Sequence, residues 1–318
     1  MKFVIAATIA AAASATALKQ TDMEFINYVA NYGKHYGTTE EFNFRKETFA
    51  ANLAKVKAFK SETSTVGINK FTDMTPSEYK KMLGYRAQDK NAYRNTVNAS
   101  KPNASSVNWV TAGAVTPVKD QGACGSCWSF STTGSMEGAH FIATGELLSL
   151  SEQQLMDCSW KYGNLSCGGG LMDSAFNYAK NTPLTTEANY PYTAMFHTSC
   201  QYAGNGVVSV LSYYDVTAND SDALLAAIEL GPVSVAIEAD QTVFGSYTGG
   251  IITGPACGTT LDHGVLAVGY GTDNGVQYIT VKNSWGASWG ENGYVRIGVE
   301  AGAGVCGINQ SASQPKTN

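Results

Sequence analysis

Histidine is scarce in this 318-residue chain, occurring at His35, His140, His197 and His263 only. Any chemistry that needs an imidazole therefore has four candidates. Charged residues make up 15% of the sequence and no basic run stands out, which argues against a nucleic-acid partner. Beyond the first residues no apolar stretch approaches the roughly 18 residues that a membrane helix requires, so no membrane association is expected. No repeat period appears, which excludes a solenoid. Cys124-Gly125-Ser126-Cys127 has the spacing of a redox or zinc pair, but a structural zinc site needs a second closely spaced ligand pair. A thioredoxin-like motif would instead follow a strand in a small α/β unit. Neither context is present, and no metal or cofactor is expected. At 44% hydrophobic the chain reads as globular, long enough for one to three domains and a sizeable core.

What is present begins with a processed-looking N-terminus. Lys2 precedes an Ala-rich apolar run from Phe3 to about Ala13, followed by Ala15-Thr16-Ala17. This is the pattern of a secretory signal peptide over residues 1–17. Secretion permits disulfides, and there are seven cysteines: Cys124, Cys127, Cys158, Cys167, Cys200, Cys257 and Cys306. An odd count leaves one thiol over, while six paired cysteines allow 15 connectivities. Asn-x-Ser triplets at Asn98, Asn103, Asn164, Asn219 and Asn309 fit the same route. Charge divides the chain unevenly. Residues 1–102 hold 15 Lys and Arg against 9 Asp and Glu, whereas residues 103–318 hold 6 against 17, or +6 facing −11. A basic front part and an acidic back part attract each other, which predicts that they dock.

From residue 18 to about 88 the pattern is mainly helical. Phe25, Tyr28, Val29 and Tyr32 recur at helical spacing, and a second amphipathic run from Glu41 carries Phe42, Phe49, Leu53, Val56 and Phe59. Glu41 and Arg45 stand at the i, i+4 spacing of a helix ion pair. Gly67 to Asp73 reads as extended. Residues from about Gln88 to Ser106 are polar and rich in Asn, Ala and Ser, as in an exposed linker and cleavage target. Beyond it a helix starting at Cys127 should end near Gly145, and Ser151 should open another. Past residue 205, Val233–Ile237, Gly264–Tyr270, Gln277–Val281 and Tyr294–Ile297 read as strands. A helical half followed by a strand-rich half suggests a cleft between them.

Gln121-Gly122-Ala123-Cys124-Gly125-Ser126-Cys127-Trp128-Ser129-Phe130 is the most informative segment. It places Cys127 at a helix start, where unpaired N–H groups and the helix dipole favour a thiolate. A cysteine nucleophile needs a base, an orienter for that base and oxyanion donors. His35 lies in the basic front part. His140 would stand about 20 Å along the same helix and cannot pair with the thiol. Of the remaining two, His263 sits at the start of a predicted strand and Asn283 at the end of the next. Two antiparallel strands would bring them together, with Trp285 shielding the bond between them.

The run around Cys127 resembles the active-site segment of papain/cathepsin cysteine proteases, and the Cys…His…Asn order matches it, with 136 residues from Cys127 to His263 and 20 more to Asn283. The likeness to the cathepsin L-like branch extends over nearly the whole chain. Glu41, Arg45, Phe49, Asn52 and Val56 follow the family's inhibitory pro-segment helix motif, although Lys60 stands where Asn is usual. Gly67, Asn69, Phe71 and Asp73 follow its second pro-segment motif. The resemblance implies an α+β papain-like fold with a helical left domain, a β-barrel-like right domain, the active-site cleft between them and a helical N-terminal pro-domain. It implies an inhibitory pro-segment at 18–102, removed in acid, and a peptidase domain at 103–318. It also implies Cys127 as nucleophile, His263 as its partner, Asn283 as orienter, and Gln121 with the Cys127 N–H as oxyanion hole. The implied disulfides are Cys124 with Cys167, Cys158 with Cys200 and Cys257 with Cys306. Gly169 and Gly170 would hydrogen-bond an extended peptide. Leu171, Met172, Ala236, Leu261 and Ser311 would line a pocket for an apolar or aromatic side chain two residues before the cut. No adjacent His-His pair of the kind exopeptidase cathepsins use is present, so endopeptidase activity is expected. Partners implied are protein or peptide substrates, the chain's own pro-segment and cystatin-type inhibitors, with the enzyme a monomer in the secretory pathway, in a lysosome or digestive vacuole, or secreted.

Overall fold

A computed structural model describes residues 20–86, 96–97 and 101–318. The expected signal peptide, Asn98 and most of the predicted linker lie outside the described residues. The N-terminal part opens with helices α1 (Gln20–Asn31) and α2 (Thr39–Ala58), the latter capped by the Thr38 side chain, which accepts the Glu41 N–H. Phe25, Tyr28, Phe49 and Leu53 form a small buried core between them, with Val29, Tyr36, Phe42 and Ile68 packed around it. Tyr32 is partly exposed and donates its hydroxyl to the Ile68 carbonyl.

One local expectation is corrected. Strand β1 is Ser64–Val66; residues 67–69 belong to no strand and residues 70–73 turn. Asn69 dictates the turn, since its Oδ1 accepts the Phe71 N–H and its Nδ2 donates to the Gly245 carbonyl. The expected Glu41–Arg45 pair forms at 3.9 Å, and the Arg45 fork also donates twice to Glu78, at 2.7 and 2.8 Å. A planar guanidinium prefers a carboxylate it can meet with two parallel bonds. Glu78 also completes a capping box with Thr75 at the start of α3 (Pro76–Lys80), so one ion pair fixes α2 to α3.

The remaining strands are β2 (Thr96–Val97), β3 (Val107–Asn108), β4 (Val210–Val216), β5 (Val233–Ile237), β6 (Tyr247–Ile252), β7 (His263–Asp273), β8 (Val276–Lys282), β9 (Tyr294–Gly298) and β10 (Ala312–Thr317). Among the described residues they follow the order β1-β6-β9-β8-β7-β5-β10-β4-β2, with β3 on β7. This path is open and does not close into a barrel, so "barrel-like" describes the strand-rich half only loosely. Both ends of the path come from the N-terminal part: β1 runs antiparallel to β6, and β2 parallel to β4. Edge strands present unpaired N–H and C=O groups, and here the N-terminal segment covers both edges.

The helices of the larger part are α4 (Cys127–Thr144), α5 (Glu152–Cys158), α6 (Met172–Asn181), α7 (Ser221–Leu230) and the short α8 (Thr242–Gly245). Helix α4 ends at Gly145 in the left-handed conformation (φ 80°), and Ser151 caps α5 by accepting the Gln154 N–H. Two cores result. One joins α5, α6 and part of α4 through Trp128, Met136, Leu155 and Phe176; the other lies against the sheet through Val235, Val265, Ile279, Trp285 and Trp289. Helix α4 lies between them, and Gly138 allows its close approach, since a Cβ there would meet Pro232 Cγ at 2.5 Å. Disulfides join Cys124 to Cys167, Cys158 to Cys200 and Cys257 to Cys306, leaving Cys127 as the free thiol. Among the sequons, Asn103 and Asn219 are exposed, whereas Asn164 and Asn309 are buried with their amides hydrogen-bonded.

Candidate active site

Cys127 is the first residue of α4, and His263 the first of β7. Strands β7 and β8 pair antiparallel with Leu266 opposite Lys282, which leaves Asn283 just past the end of β8 and beside His263. His263 Nε2 lies 2.8 Å from Asn283 Oδ1. That oxygen only accepts, so Nε2 carries a proton and, in the neutral ring, Nδ1 is left as a bare base. Nδ1 is buried without a hydrogen-bond partner. Asn283 Oδ1 is itself fixed by the Ser284 N–H at 2.8 Å. Trp285 stacks on the imidazole at 4.7 Å between centroids and is fully buried. It keeps water off the His–Asn bond, which strengthens that bond. The thiol lies against the same strand, since the Gly264 N–H donates to Cys127 Sγ at 3.4 Å.

Gln121 is held on every side. Its Oε1 accepts the Ser284 hydroxyl at 2.6 Å, and its Nε2 donates to the Cys124 carbonyl at 2.7 Å. Tyr192 donates to the Gln121 carbonyl at 2.7 Å and lies 2.6 Å from the Ser126 hydroxyl. Two residues upstream, Lys119 donates to Glu152 at 2.6 Å and Glu137 at 3.0 Å, tying this loop to α5 and α4. Ser284 and Tyr192 were not singled out from sequence. Ser284 stands next to Asn283 in Lys282-Asn283-Ser284-Trp285-Gly286, so its signal was present but unspecific.

The N-terminal part fills the cleft. Gly84 N–H donates to Cys127 Sγ at 3.2 Å, and the second Gln121 Nε2 proton goes to the Met82 carbonyl at 2.8 Å. Gly170 donates to the Gly84 carbonyl at 2.9 Å, Arg86 donates to the Gly170 carbonyl at 3.1 Å, and Tyr85 donates to the Asp262 carbonyl at 2.9 Å. Tyr85 is buried in the cluster that includes Met172 and Ala236 and against which Leu171 and Leu261 pack, and its hydroxyl donates to Ser311 Oγ at 2.8 Å. Four of the five predicted pocket residues thus belong to or pack against the cluster that holds Tyr85, and the fifth, Ser311, accepts its hydroxyl. Gly169 departs from the sequence reading. Its N–H goes to the Ser166 carbonyl and its own carbonyl accepts Leu165, so only Gly170 pairs with the bound segment. Gly169 instead provides room: a Cβ there would stand 2.6 Å from the Gly84 carbonyl oxygen.

Burial sets the protonation of the pair. Loss of solvent pushes the Cys127 thiol up to about 11, against the partial help of the Gly264 and Gly84 N–H groups. Burial likewise pushes His263 down to about 4, although its bond to Asn283 favours the charged form. With the segment in place both groups are neutral near pH 7, and the thiolate is suppressed as well as covered. The other histidines lie elsewhere: His197 sits 2.9 Å from Asp157, and His140 2.6 Å from the C-terminal Asn318 carbonyl. Among the described residues no group of three or more His, Cys, Asp or Glu is placed to hold a metal ion, and no helix is long and apolar enough to cross a membrane.

Among the described residues, fewer direct ion pairs join the two parts than the +6 and −11 charges suggest. Lys70 meets Asp120 at 2.6 Å, Lys80 meets Asp240 at 3.2 Å, and Lys101 approaches Asp222 at 3.9 Å. Much of the contact is aromatic: Phe71 and Tyr79 pack edge-on against Trp285 at 5.2 and 5.6 Å.

Comparison with known proteins agrees with this arrangement. Residues 103–316 match the family model "Papain family cysteine protease", and residues 25–79 match "Cathepsin propeptide inhibitor domain". The chain is 45% identical over 310 residues to Cysteine proteinase 3 of Dictyostelium discoideum, covering 93% of this chain and 91% of that protein. It is 41% identical over 312 residues to Digestive cysteine proteinase 2 of Homarus americanus, covering 94% and 96%. Digestive procathepsin L 3 of Tenebrio molitor larval midgut superposes with a TM-score of 0.84 at 39% identity, covering 94% of this chain and 99% of that one. The N-terminal part whose end lies across Cys127 thus carries a propeptide inhibitor domain, and the chain belongs to the papain family of cysteine proteases as a cathepsin L-like zymogen.

Proposed function

We propose that this zymogen matures in acid to an endopeptidase that cuts peptide bonds through a thioester. Cys127 is the nucleophile, His263 takes and returns its proton at Nδ1, and Asn283 holds the ring. Gln121 Nε2 and the Cys127 N–H stabilise the oxyanion. The observation that carries the reading is the placement of the Met82 carbonyl on Gln121 Nε2 beside a backbone N–H on Cys127 Sγ. The pro-segment presents a peptide to the donors that a scissile carbonyl would need, but puts an N–H rather than a carbonyl carbon against the sulfur. When the segment leaves, solvent returns to the pair, and the start of α4 together with an imidazolium favours the thiolate. Attack then forms the C–S bond and His263 protonates the departing amine. Water, deprotonated by the same ring, cleaves the thioester.

The division proposed is signal peptide 1–17, pro-segment 18–102 and peptidase 103–318. Occupation of the Leu171, Met172, Ala236, Leu261 and Ser311 pocket by Tyr85 supports a preference for apolar or aromatic side chains two residues before the cut, since the lining has no acidic group to meet Arg. Acid release is supported by Glu78, which the Arg45 fork holds down to about 2, chiefly through their hydrogen bonds. A carboxylate depressed in the folded state stabilises fully above its unfolded value near 4.5, and that contribution fades as pH falls toward 2. A secretory-route monomer, in a lysosome, digestive vacuole or the exterior and open to cystatin-type inhibitors, fits this activity. The test is acid incubation followed by labelling with a thiolate-alkylating epoxide. Labelling and peptidase activity should appear together and vanish in Cys127→Ala; activity surviving in that variant overturns the assignment.

A further inference from the structure

Glu229 occupies the last turn of α7, where the helix carries no basic residue and its dipole disfavours a carboxylate. A group there is better matched by a cation. What Glu229 faces is the start of the peptidase part. Its Oε1 accepts the Asn103 N–H at 2.7 Å and also the Ala104 N–H. The buried Tyr270 hydroxyl lies 2.9 Å from the same oxygen and 3.0 Å from the Ala104 carbonyl. The Ala104 N–H above all, then Tyr270 and Asn103, hold the Glu229 carboxyl below the usual range.

Downstream of this contact the chain is firmly tied. Val107 and Asn108 pair with Tyr270 and Gly269 of β7, and Trp109 Nε1 donates to the Ile228 carbonyl at 2.6 Å. Just upstream, Lys101 is highly exposed and stands 3.9 Å from Asp222. Between the β2 pairing with β4 and the β3 pairing with β7, the Asn103 and Ala104 N–H groups on Glu229 tie the backbone down.

We infer that Glu229 is the receptor for the α-ammonium group of the mature chain; this rests on the reading of the chain as a precursor cut near residue 103. Hydrolysis before Asn103 or Ala104 adds water across that peptide bond. The upstream carbonyl leaves as a carboxylate, and the amide nitrogen becomes an amine, protonated below about pH 7.7–8.0. Either nitrogen already points at Glu229 Oε1. A neutral N–H hydrogen bond in the zymogen thus becomes a charged pair in the product, without movement of the chain. The free end is held where the catalytic half begins, and trimming stops there.

Glu229→Gln separates the two states, because an amide oxygen still accepts N–H groups but carries no charge. The variant is made twice: in the active chain, matured in acid, and in a Cys127→Ala background that stays uncut. N-terminal sequencing of the mature wild-type protein should read from Asn103 or Ala104. Glu229→Gln should lower the Tm of the mature enzyme by at least about 2 °C and that of the uncut precursor by less than half as much. Equal losses in both forms, no loss in the mature form, or a mature chain starting elsewhere overturns the receptor while leaving the precursor reading intact. A wild-type chain that neither shortens nor gains peptidase activity overturns both.

Discussion

Gly84→Ala should release the pro-segment without touching the enzyme. A Cβ at Gly84 would stand 1.8 Å from the Gly125 carbonyl oxygen and 2.4 Å from its carbonyl carbon. Both are backbone atoms of the loop that carries Cys124 and Cys127, so no side-chain rotation relieves the clash. The segment must lift, and with it go the bonds from Gly84 to Cys127 Sγ, from Gly170 to Gly84 and from Gln121 to Met82. At a net ~0.5–1.5 kcal/mol each these amount to roughly 1.5–4.5 kcal/mol. Overpacking in a rigid site independently costs about 1–3 kcal/mol. The range common to both, about 1.5–3 kcal/mol, corresponds to a roughly 10- to 150-fold larger population of the uncovered site. The assay is the rate of epoxide labelling at Cys127 in intact zymogen at neutral pH, before any processing. The variant should label roughly 10- to 150-fold faster, whereas after maturation its kcat/KM should equal that of the wild type. Equal labelling rates in the two zymogens would refute the seating of Gly84 against Gly125.

Gln121→Ala should lower kcat by about 10²–10³-fold in a chain that still folds, read on the mature enzyme with a peptide substrate; full turnover would remove Gln121 from the oxyanion hole. Glu78→Gln removes the carboxylate whose contribution is lost between about pH 4.5 and 2. Its zymogen should therefore already activate near neutral pH and show a flatter dependence of activation rate on acid, and an unchanged profile would exclude Glu78 as an acid-sensitive latch. Ser311→Glu places a carboxylate where the Tyr85 hydroxyl now ends. It should raise the preference for Arg over Leu two residues before the cut by about 10-fold or more in kcat/KM, and no change would mean that this side chain does not floor the pocket.

The reach of sequence reasoning differed by element. Val233–Ile237 coincides with β5, and Gly145 and Ser151 mark a helix end and a helix start, because strand periodicity, left-handed backbone and capping hydroxyls are properties of the local chain. Residues 67–73 misled because Asn69 turns the backbone with its own side chain, a choice stabilised by the Gly245 carbonyl 176 residues away. The Glu41–Arg45 pair was legible because four residues bring both groups to one helix face, whereas Glu78, which meets both guanidinium nitrogens, comes from α3 and only the fold adds it.

Residue type alone determined which groups could do chemistry. An odd cysteine count, a cysteine at a helix start, four histidines and an Asn one strand beyond His263 limit the nucleophile and its partners whatever the fold. Tertiary structure decided everything carried by the backbone or by burial. The inhibitory contacts of Met82, Gly84 and Gly170 use main-chain N–H and C=O groups that every residue shares, so no side-chain pattern announces them. The neutral state of the Cys127–His263 pair arises from exclusion of solvent, which depends on what packs above it. The fit of Glu229 to a chain start joins α7, β7 and residue 103, three places that only the folded chain brings to one oxygen.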